Sequence, residues 1–225
     1  MPARDAYDRL ILAGDPVAYW PLGAGLDNAD GSLYDWTLAA GSLAVENLEG
    51  RPGLSLLSGQ YRSSVRLPQA AYTLEAWIRW SGSTPYADGA ILSDFGGAAV
   101  TGSMLVQVSS TGYVNFLHRT VNINTGRVPP VGRWCHLAGT WDGATARLYM
   151  DGELRASAAD STAPGTGSTA YSYLSTFGNA ETNRRFNGFV DRAAMFSRAI
   201  DENEIRARLR TWEAVRLRRR SRRAA

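Results

Sequence analysis

The stretch WCHLAGTWDGATARLYMDGEL, residues 134–154, holds the only cysteine of the chain and one of its two histidines. A thiol beside an imidazole could form a nucleophile and its base, but the two must then lie within about 3 Å of each other. In a strand, successive side chains point to opposite faces. Cys135, Leu137, Gly139 and Trp141 would point one way, and Trp134, His136, Ala138 and Thr140 the other. The pair therefore diverges, and Cys135 reads as a small buried hydrophobe. One Cys and two His also match no recognised zinc spacing.

Carboxylates offer a second chemistry. Glycoside hydrolysis needs two of them about 5–10 Å apart across a sugar-binding face. Glu75 is the strand carboxylate beside an aromatic, Trp77, and the sequence supplies no evident partner for it. Asp201, Glu202 and Glu204 read instead as charge at a helix N-terminus, favoured by the helix dipole. Asp27, Asn28 and Asp30 in LDNADGS are oxygen donors of the kind calcium prefers, although Asx turns explain the same residues.

Aromatic and cationic surfaces are a third possibility. YTLEAWIRW, residues 72–80, alternates: Tyr72, Leu74, Ala76, Ile78 and Trp80 share one face, and Thr73, Glu75, Trp77 and Arg79 the other. The Glu75–Trp77–Arg79 face could stack on a sugar or a partner protein, with Tyr86, Tyr171 and Tyr173 from loops 81–89 and 163–173 beside it. The alternative is that a loop covers Trp77 and the tyrosines cap an edge. At the chain end, RLRRRSRR brings together Arg216, Arg218, Arg219, Arg220, Arg222 and Arg223. Such a run can dock on an acidic protein surface, hold nucleic acid through its phosphates, or stay solvated.

The elements that must carry these groups are mostly short strands. The two Asp-Gly pairs, at 142–143 and 151–152, read as hairpin turns, so residues 134–154 form a three-strand meander. Ser110-Thr111-Gly112 turns between two further strands in SMLVQVSSTGYVNFLHR. VAYWPLG, YRSSVRLP, GAILSDF, AYSYLSTFGN and FNGFVDRAAMFSRAI supply more. Short strands at this spacing, joined by Gly, Asp and Ser turns, predict an all-β antiparallel sandwich of two sheets. Tyr7, Leu10 and Ile11 predict a short helix over 4–13, ended by Gly14 and Pro16. Asp201 with Glu204 forms a capping-box-like start. The stripe Ile205, Leu209, Trp212 then predicts a basic C-terminal helix.

The 225 residues suit one sandwich-sized domain. The expected division is an N-terminal helical arm over 1–14, a sandwich over 15–200, and the helix with its Arg tail over 201–225. The net charge of +3 hides an asymmetry. Residues 206–225 carry nine Arg and one Glu, a balance of +8, while 1–205 carry 15 Arg and 20 acids, a balance of −5. A single Cys forms no internal disulfide. The start of the chain reads as no secretion signal, and no run of about 18 apolar residues suggests a spanning helix.

Four segments together resemble the laminin-G-like, concanavalin A-like jelly-roll family. RWCHLAGTWDGATARLYMDGEL is similar to its Trp-x-His-x-Ala strand followed by an Asp-Gly hairpin. YTLEAWIRW is similar to its Thr-hydrophobic-x-x-Trp strand, and RFNGFVDRAAMFSRAIDENEIRARL to its closing strand and helix. ILAGDPVAYWPLG resembles the first strand as phage tail and virion versions carry it. The resemblance spans about 7–210 and implies a jelly roll. That fold hosts lectins, hydrolases, adhesion modules and structural parts, so it leaves function open. It implies calcium as a possible ligand near Asp191. The Glu-x-Asp-x-x-Glu strand of one hydrolase branch is missing. The expectation drawn is a non-enzymatic virion component, a head or tail decoration assembled in the host cytoplasm. Its partners would be other virion proteins and cell-surface glycans, with nucleic acid an alternative for the Arg tail. A lectin-like module of a cellular or viral protein is the main alternative, and a glycosidase the third.

Overall fold

The computed structural model describes residues 5–22, 26, 29, 35–48, 51–86, 88–95, 102–108, 110–119, 121–165, 171–176 and 184–224. In chain order its elements begin with α1 (Ala6–Ala13), β1 (Ala18–Trp20), β2 (Thr37–Gly41), β3 (Val45–Leu48), β4 (Arg51–Ser55), β5 (Gly59–Ser63), β6 (Tyr72–Trp80) and β7 (Asp88–Phe95). They continue with β8 (Gly102–Val108), β9 (Val114–His118), β10 (Val121–Asn124), β11 (Trp134–Trp141), β12 (Thr145–Met150), β13 (Glu153–Ala159), β14 (Ser172–Leu174), β15 (Gly188–Phe196) and α2 (Glu202–Ala224).

The strands form the two antiparallel sheets of a jelly-roll sandwich. Among the described residues, one sheet has eight strands, ordered β13-β12-β11-β6-β15-β4-β3, with β1 also on β15. The other has seven, ordered β10-β9-β8-β7-β14-β5-β2. Alternation decides what fills the space between them. Tyr72, Leu74, Ala76 and Ile78 of β6 and Cys135, Leu137 and Trp141 of β11 all enter one buried core. Their alternate neighbours Trp77, Trp134 and Ala138 join a second apolar cluster on the outer face of the eight-stranded sheet. The second core exists because α1 and α2 lie across that face, contributing Tyr7 and Ile11 from one helix and Ile205 and Trp212 from the other.

Local chemistry sets the turns and caps. Asp151 (φ 51°) and Gly152 (φ 80°) are both left-handed, the pair a tight hairpin with right-handed twist demands between β12 and β13. Gly139 in β11 leaves room for the Phe116 ring, which a Cβ there would meet at 2.5 Å. Asp5 caps α1 by accepting from the Asp8 amide at 3.1 Å, and Asp8 answers by accepting from the Asp5 amide at 2.9 Å. Asp201 accepts from the Glu204 amide at 2.8 Å and starts α2. The strand expected over YRSSVRLP ends at Ser63. Beyond it the chain leaves the ladder, and the Leu67 amide donates to Asp94 at 2.7 Å. Among the described residues, no helix is long and apolar enough to cross a membrane.

Candidate functional site: two outer sheet faces

The Glu75–Trp77 face is closed rather than open. Glu75 is fully buried and Trp77 is 2 % exposed. The cover is α2, not a loop. Trp212 stacks on Trp77 with ring centroids 4.0 Å apart and planes within 10°. The Trp77 indole donates to the Tyr7 hydroxyl at 2.9 Å. Glu75 has the partner the sequence did not reveal: Arg208 Nη1 lies 2.6 Å from its Oε2, and His136 Nε2 lies 3.5 Å away. Burial favours the neutral acid, but Arg208 and His136 outweigh it and hold the Glu75 carboxyl below the usual carboxylate range. Arg208 reaches Glu204 as well, at 2.5 Å. This is a paired, solvent-free clamp, not a pair of carboxylates facing a substrate. The expectation that Glu75 and Trp77 present a ligand surface is corrected: both are walls of the second core. Arg79 sits half-buried at the end of the same strand.

Asp191 is also committed elsewhere. The ladder between β15 and β6 shifts register between Asp191 and Ala194, and Arg192 there has a φ of 50°. This irregularity lets Arg192 meet α1. Its guanidinium gathers Asp5 at 2.7 Å, Asp8 at 3.0 Å and Asp191 at 2.7 Å. Tyr19 donates to Asp8 at 2.6 Å. A cation does sit among these acids, but it is an arginine of the chain itself. The carboxylate suggested as a calcium ligand is therefore turned to a guanidinium, and the set does not fit a metal. The other two calcium candidates, Asp27 and Asp30, lie outside the described residues. Among the described residues, no group of three or more His, Cys, Asp or Glu side chains is placed to hold a metal ion.

The two sulfur and imidazole candidates are equally sequestered. Cys135 is fully buried. Burial, and then the nearby Asp151, push its thiol well above its ordinary range, so it stays protonated. His118 lies in the main core, its Nδ1 accepting from the Tyr72 hydroxyl at 2.7 Å and its Nε2 donating to the Thr162 carbonyl at 3.0 Å. Burial lowers its pKa below the usual imidazole value.

The seven-stranded sheet presents a different outer face. Its register aligns Thr37, Arg62, Tyr173 and Ser93 in one row across β2, β5, β14 and β7. Tyr171, two residues before Tyr173, shares that face, and the rings meet edge to face at 6.5 Å. The Arg62 guanidinium lies over the Tyr171 ring, 4.8 Å from its centroid. Arg62 is exposed, Tyr171 half-buried and Tyr173 6 % exposed, so the cluster has a seated floor and an open rim. Burial raises the Tyr173 phenol, and neighbouring Arg62 and Arg66 pull it back down. Sequence reasoning named Tyr171 and Tyr173 and missed Arg62, although alternation in YRSSVRLP places Arg62 opposite the buried Tyr61 and Ser63. Tyr86, the third tyrosine named, sits half-buried in the loop after β6.

Two remaining features offer less to a ligand. A groove of about 230 Å³ between the helices is lined by Ala6, Arg210, Thr211, Ala214 and Val215, and has no ring to stack a sugar. In the basic tail, Arg216 is half-buried. The backbone of α2 continues helical through Arg218, Arg219, Arg220, Arg222 and Arg223, whose side chains lie outside the described residues.

This architecture is that of a lectin-like sandwich. The sequence model of the concanavalin A-like lectin/glucanases superfamily matches residues 58–206, so the chain belongs to that superfamily. No curated protein matches it by sequence. Among solved structures, it is similar to domain 4 of AbnA, a GH43 extracellular arabinanase from Geobacillus stearothermophilus, solved with arabinotriose. The TM-score there is 0.66 at 13% identity, covering 86% of this chain and 98% of that one. It is also similar to the botulinum neurotoxin type G receptor binding domain, with a TM-score of 0.63 at 14% identity, 87% of this chain and 51% of that one. The serotype D ligand binding domain, solved with N-acetylneuraminic acid, gives a TM-score of 0.65 at 12% identity, over 89% and 52%. The chain spans about half the length of these toxin domains. At these identities the likeness shows the fold alone.

Proposed function

We propose that the chain is a non-enzymatic carbohydrate-binding module that holds glycans on the outer face of its seven-stranded sheet, at Arg62, Tyr171 and Tyr173. The observation that carries this reading is the edge-to-face tyrosine pair with an exposed guanidinium stacked on it. Aromatic rings offer flat apolar platforms for sugar C–H groups, and a fork of N–H donors beside them orients the hydroxyls. Three buried strand carboxylates support a role without catalysis: Glu75 and Asp191 are spent on Arg208 and Arg192, and Asp94 accepts from Leu67 and Arg66. Arabinotriose and N-acetylneuraminic acid, the ligands in the structures of two neighbours, are consistent with a sugar-binding use of the fold. A glycan array probed with the purified chain tests the reading. Binding that is lost in Tyr171→Ala and kept in Trp77→Ala is the expected result, and no signal above background would overturn it.

A second reading concerns the setting. We infer a place on a virion surface, as a head or tail decoration assembled in the host cytoplasm, with other virion proteins holding the basic end of α2. The resemblance carried by ILAGDPVAYWPLG favours it, as does the concentration of positive charge after Val215. Particles washed in high salt should shed the protein. A variant ending after Leu217 keeps Ile205, Arg208, Trp212 and Val215, which hold the helix on the sheet, and should fail to dock. Retention of that variant would remove the docking role from the Arg run, and salt-sensitive binding to DNA would reassign that run to nucleic acid.

A further inference from the structure

We propose that the saccharide bound at the Arg62–Tyr171–Tyr173 face carries a carboxylate, placed on Arg62 while the sugar ring lies against the tyrosines. This rests on the reading of that face as a glycan site and adds the charge class of the ligand.

Arg147, Arg155, Arg184, Arg198 and Arg206 each sit at the surface against a carboxylate. Arg66, four residues along from Arg62, is engaged by Asp94 at 2.8 Å. Arg62 is exposed, and among the described residues no carboxylate pairs with it. Its guanidinium rests on the Tyr171 ring instead. A guanidinium whose carbon lies over a ring and whose side chain is exposed has N–H groups to give, and two of them match a carboxylate with parallel hydrogen bonds. The contact with the ring restricts the side chain, so less rotamer freedom is lost when an acid arrives.

The same geometry discriminates against neutral sugars. A neutral ring that covered the tyrosines would desolvate Arg62 without giving it a counter-charge, which is unfavourable. An acidic ring supplies that charge. Thr37, opposite Arg62 on β2, is exposed on the same row and donates its hydroxyl to the Arg62 carbonyl, leaving the hydroxyl oxygen able to accept from the sugar. The row therefore offers a cation, the half-buried Tyr171 ring and a hydroxyl.

The test is calorimetry on the full chain with a panel of uronic- and sialic-acid oligosaccharides, each beside its carboxyl-reduced counterpart. At least one acidic glycan should bind tenfold or more tighter than its reduced form, and salt should weaken that preference. In Arg62→Gln the preference should collapse toward unity while the residual binding common to both forms remains. Arg62→Lys, which keeps the charge and loses the planar fork, should fall between. Tyr171→Ala should weaken both forms together. Equal affinity for acidic and reduced forms, or a preference unchanged in Arg62→Gln, overturns the carboxylate assignment and leaves the glycan site standing. Inorganic polyphosphate bound as tightly as the best acidic glycan overturns it in favour of a general anion patch. Binding of no glycan of either kind overturns both this proposal and the reading beneath it.

Discussion

The outer faces of the two sheets carry similar residue types and put them to opposite use. On the eight-stranded sheet, Glu75, Trp77, His136, Asp191 and Arg192 are sealed beneath α1 and α2, with acids and guanidinium groups matched inside the chain. On the seven-stranded sheet, Tyr171 lies under a guanidinium that meets no acid among the described residues. A buried charge left without a partner is far more costly than one that was never buried. The sealed face therefore has to be self-complementary. The other can leave Arg62 in water, which solvates it. The lesson is that a Trp next to a Glu on an outward strand face says little about binding until its cover is known.

The comparison can be broken most forcefully at the clamp. Glu75→Ala or Arg208→Ala strands one buried charge and should lower the unfolding free energy by about 3–5 kcal/mol in denaturant titrations. The double replacement Glu75→Leu with Arg208→Leu should recover most of that loss, and failure to recover would assign the clamp a net stabilising role. Close behind, Trp77→Ala empties the site beneath Trp212 and should cost about 3–5 kcal/mol. It should leave glycan affinity unchanged, since the ring reaches no solvent.

Tyr171→Ala should do the reverse. Affinity should fall tenfold or more, about 1.4 kcal/mol, with a smaller change in melting temperature than Trp77→Ala produces. A glycan-binding defect in Trp77→Ala, or none in Tyr171→Ala, would exchange the roles of the two faces.

Acid should dismantle the protein in two steps. His118 has its pKa lowered in the folded state, so the unfolded chain takes up the proton first. Its contribution is complete above about 6.5 and is lost as pH falls below that value through the folded pKa. Glu75, and Asp8 with it, are held below their ordinary values of 4.5 and 3.8. Their contribution is complete above those values and disappears below them. Asp94, which burial raises above 3.8, acts in the opposite sense just above that pH and softens the lower step. Thermal melts across pH should show the upper step vanish in His118→Asn and the lower one shrink in Glu75→Gln. The smallest effect belongs to the exposed Arg147–Asp142 pair, where Arg147→Ala should cost under about 1 kcal/mol.

Much of this was legible in the chain because strands advertise their faces. The alternation in 72–80 and 134–141 separated the two faces of each strand residue by residue, and it sent Cys135 and His136 apart as the structure has them. The doubled Asp-Gly marked both turns of the meander. Asp201 marked the start of α2, and the stripe of Ile205, Leu209 and Trp212 its buried side. What alternation cannot supply is the identity of the cover. Whether Trp77 meets water or Trp212 depends on a contact between segments far apart in sequence, and nothing local to YTLEAWIRW encodes it. Arg208 stood in a run that reads as a basic tail, and only packing separates it from the arginines that follow. The bulge at Arg192 was equally silent, because a non-glycine residue with positive φ leaves no compositional mark. The short strands β2 to β4 drew no bounds for another reason. They carry Gly41, Pro52 and Gly53, which read as loop, and their apolar positions are too few to set a period.

The placement of α1 and α2 has a consequence for orientation. Both terminal helices rest on one flank of the sandwich, and the tyrosine–arginine row lies on the opposite flank. Whatever is joined to this chain at either end, or grips its basic helix, therefore approaches from behind. The module is polar in the way a hand is: held at the wrist, it keeps its palm turned outward.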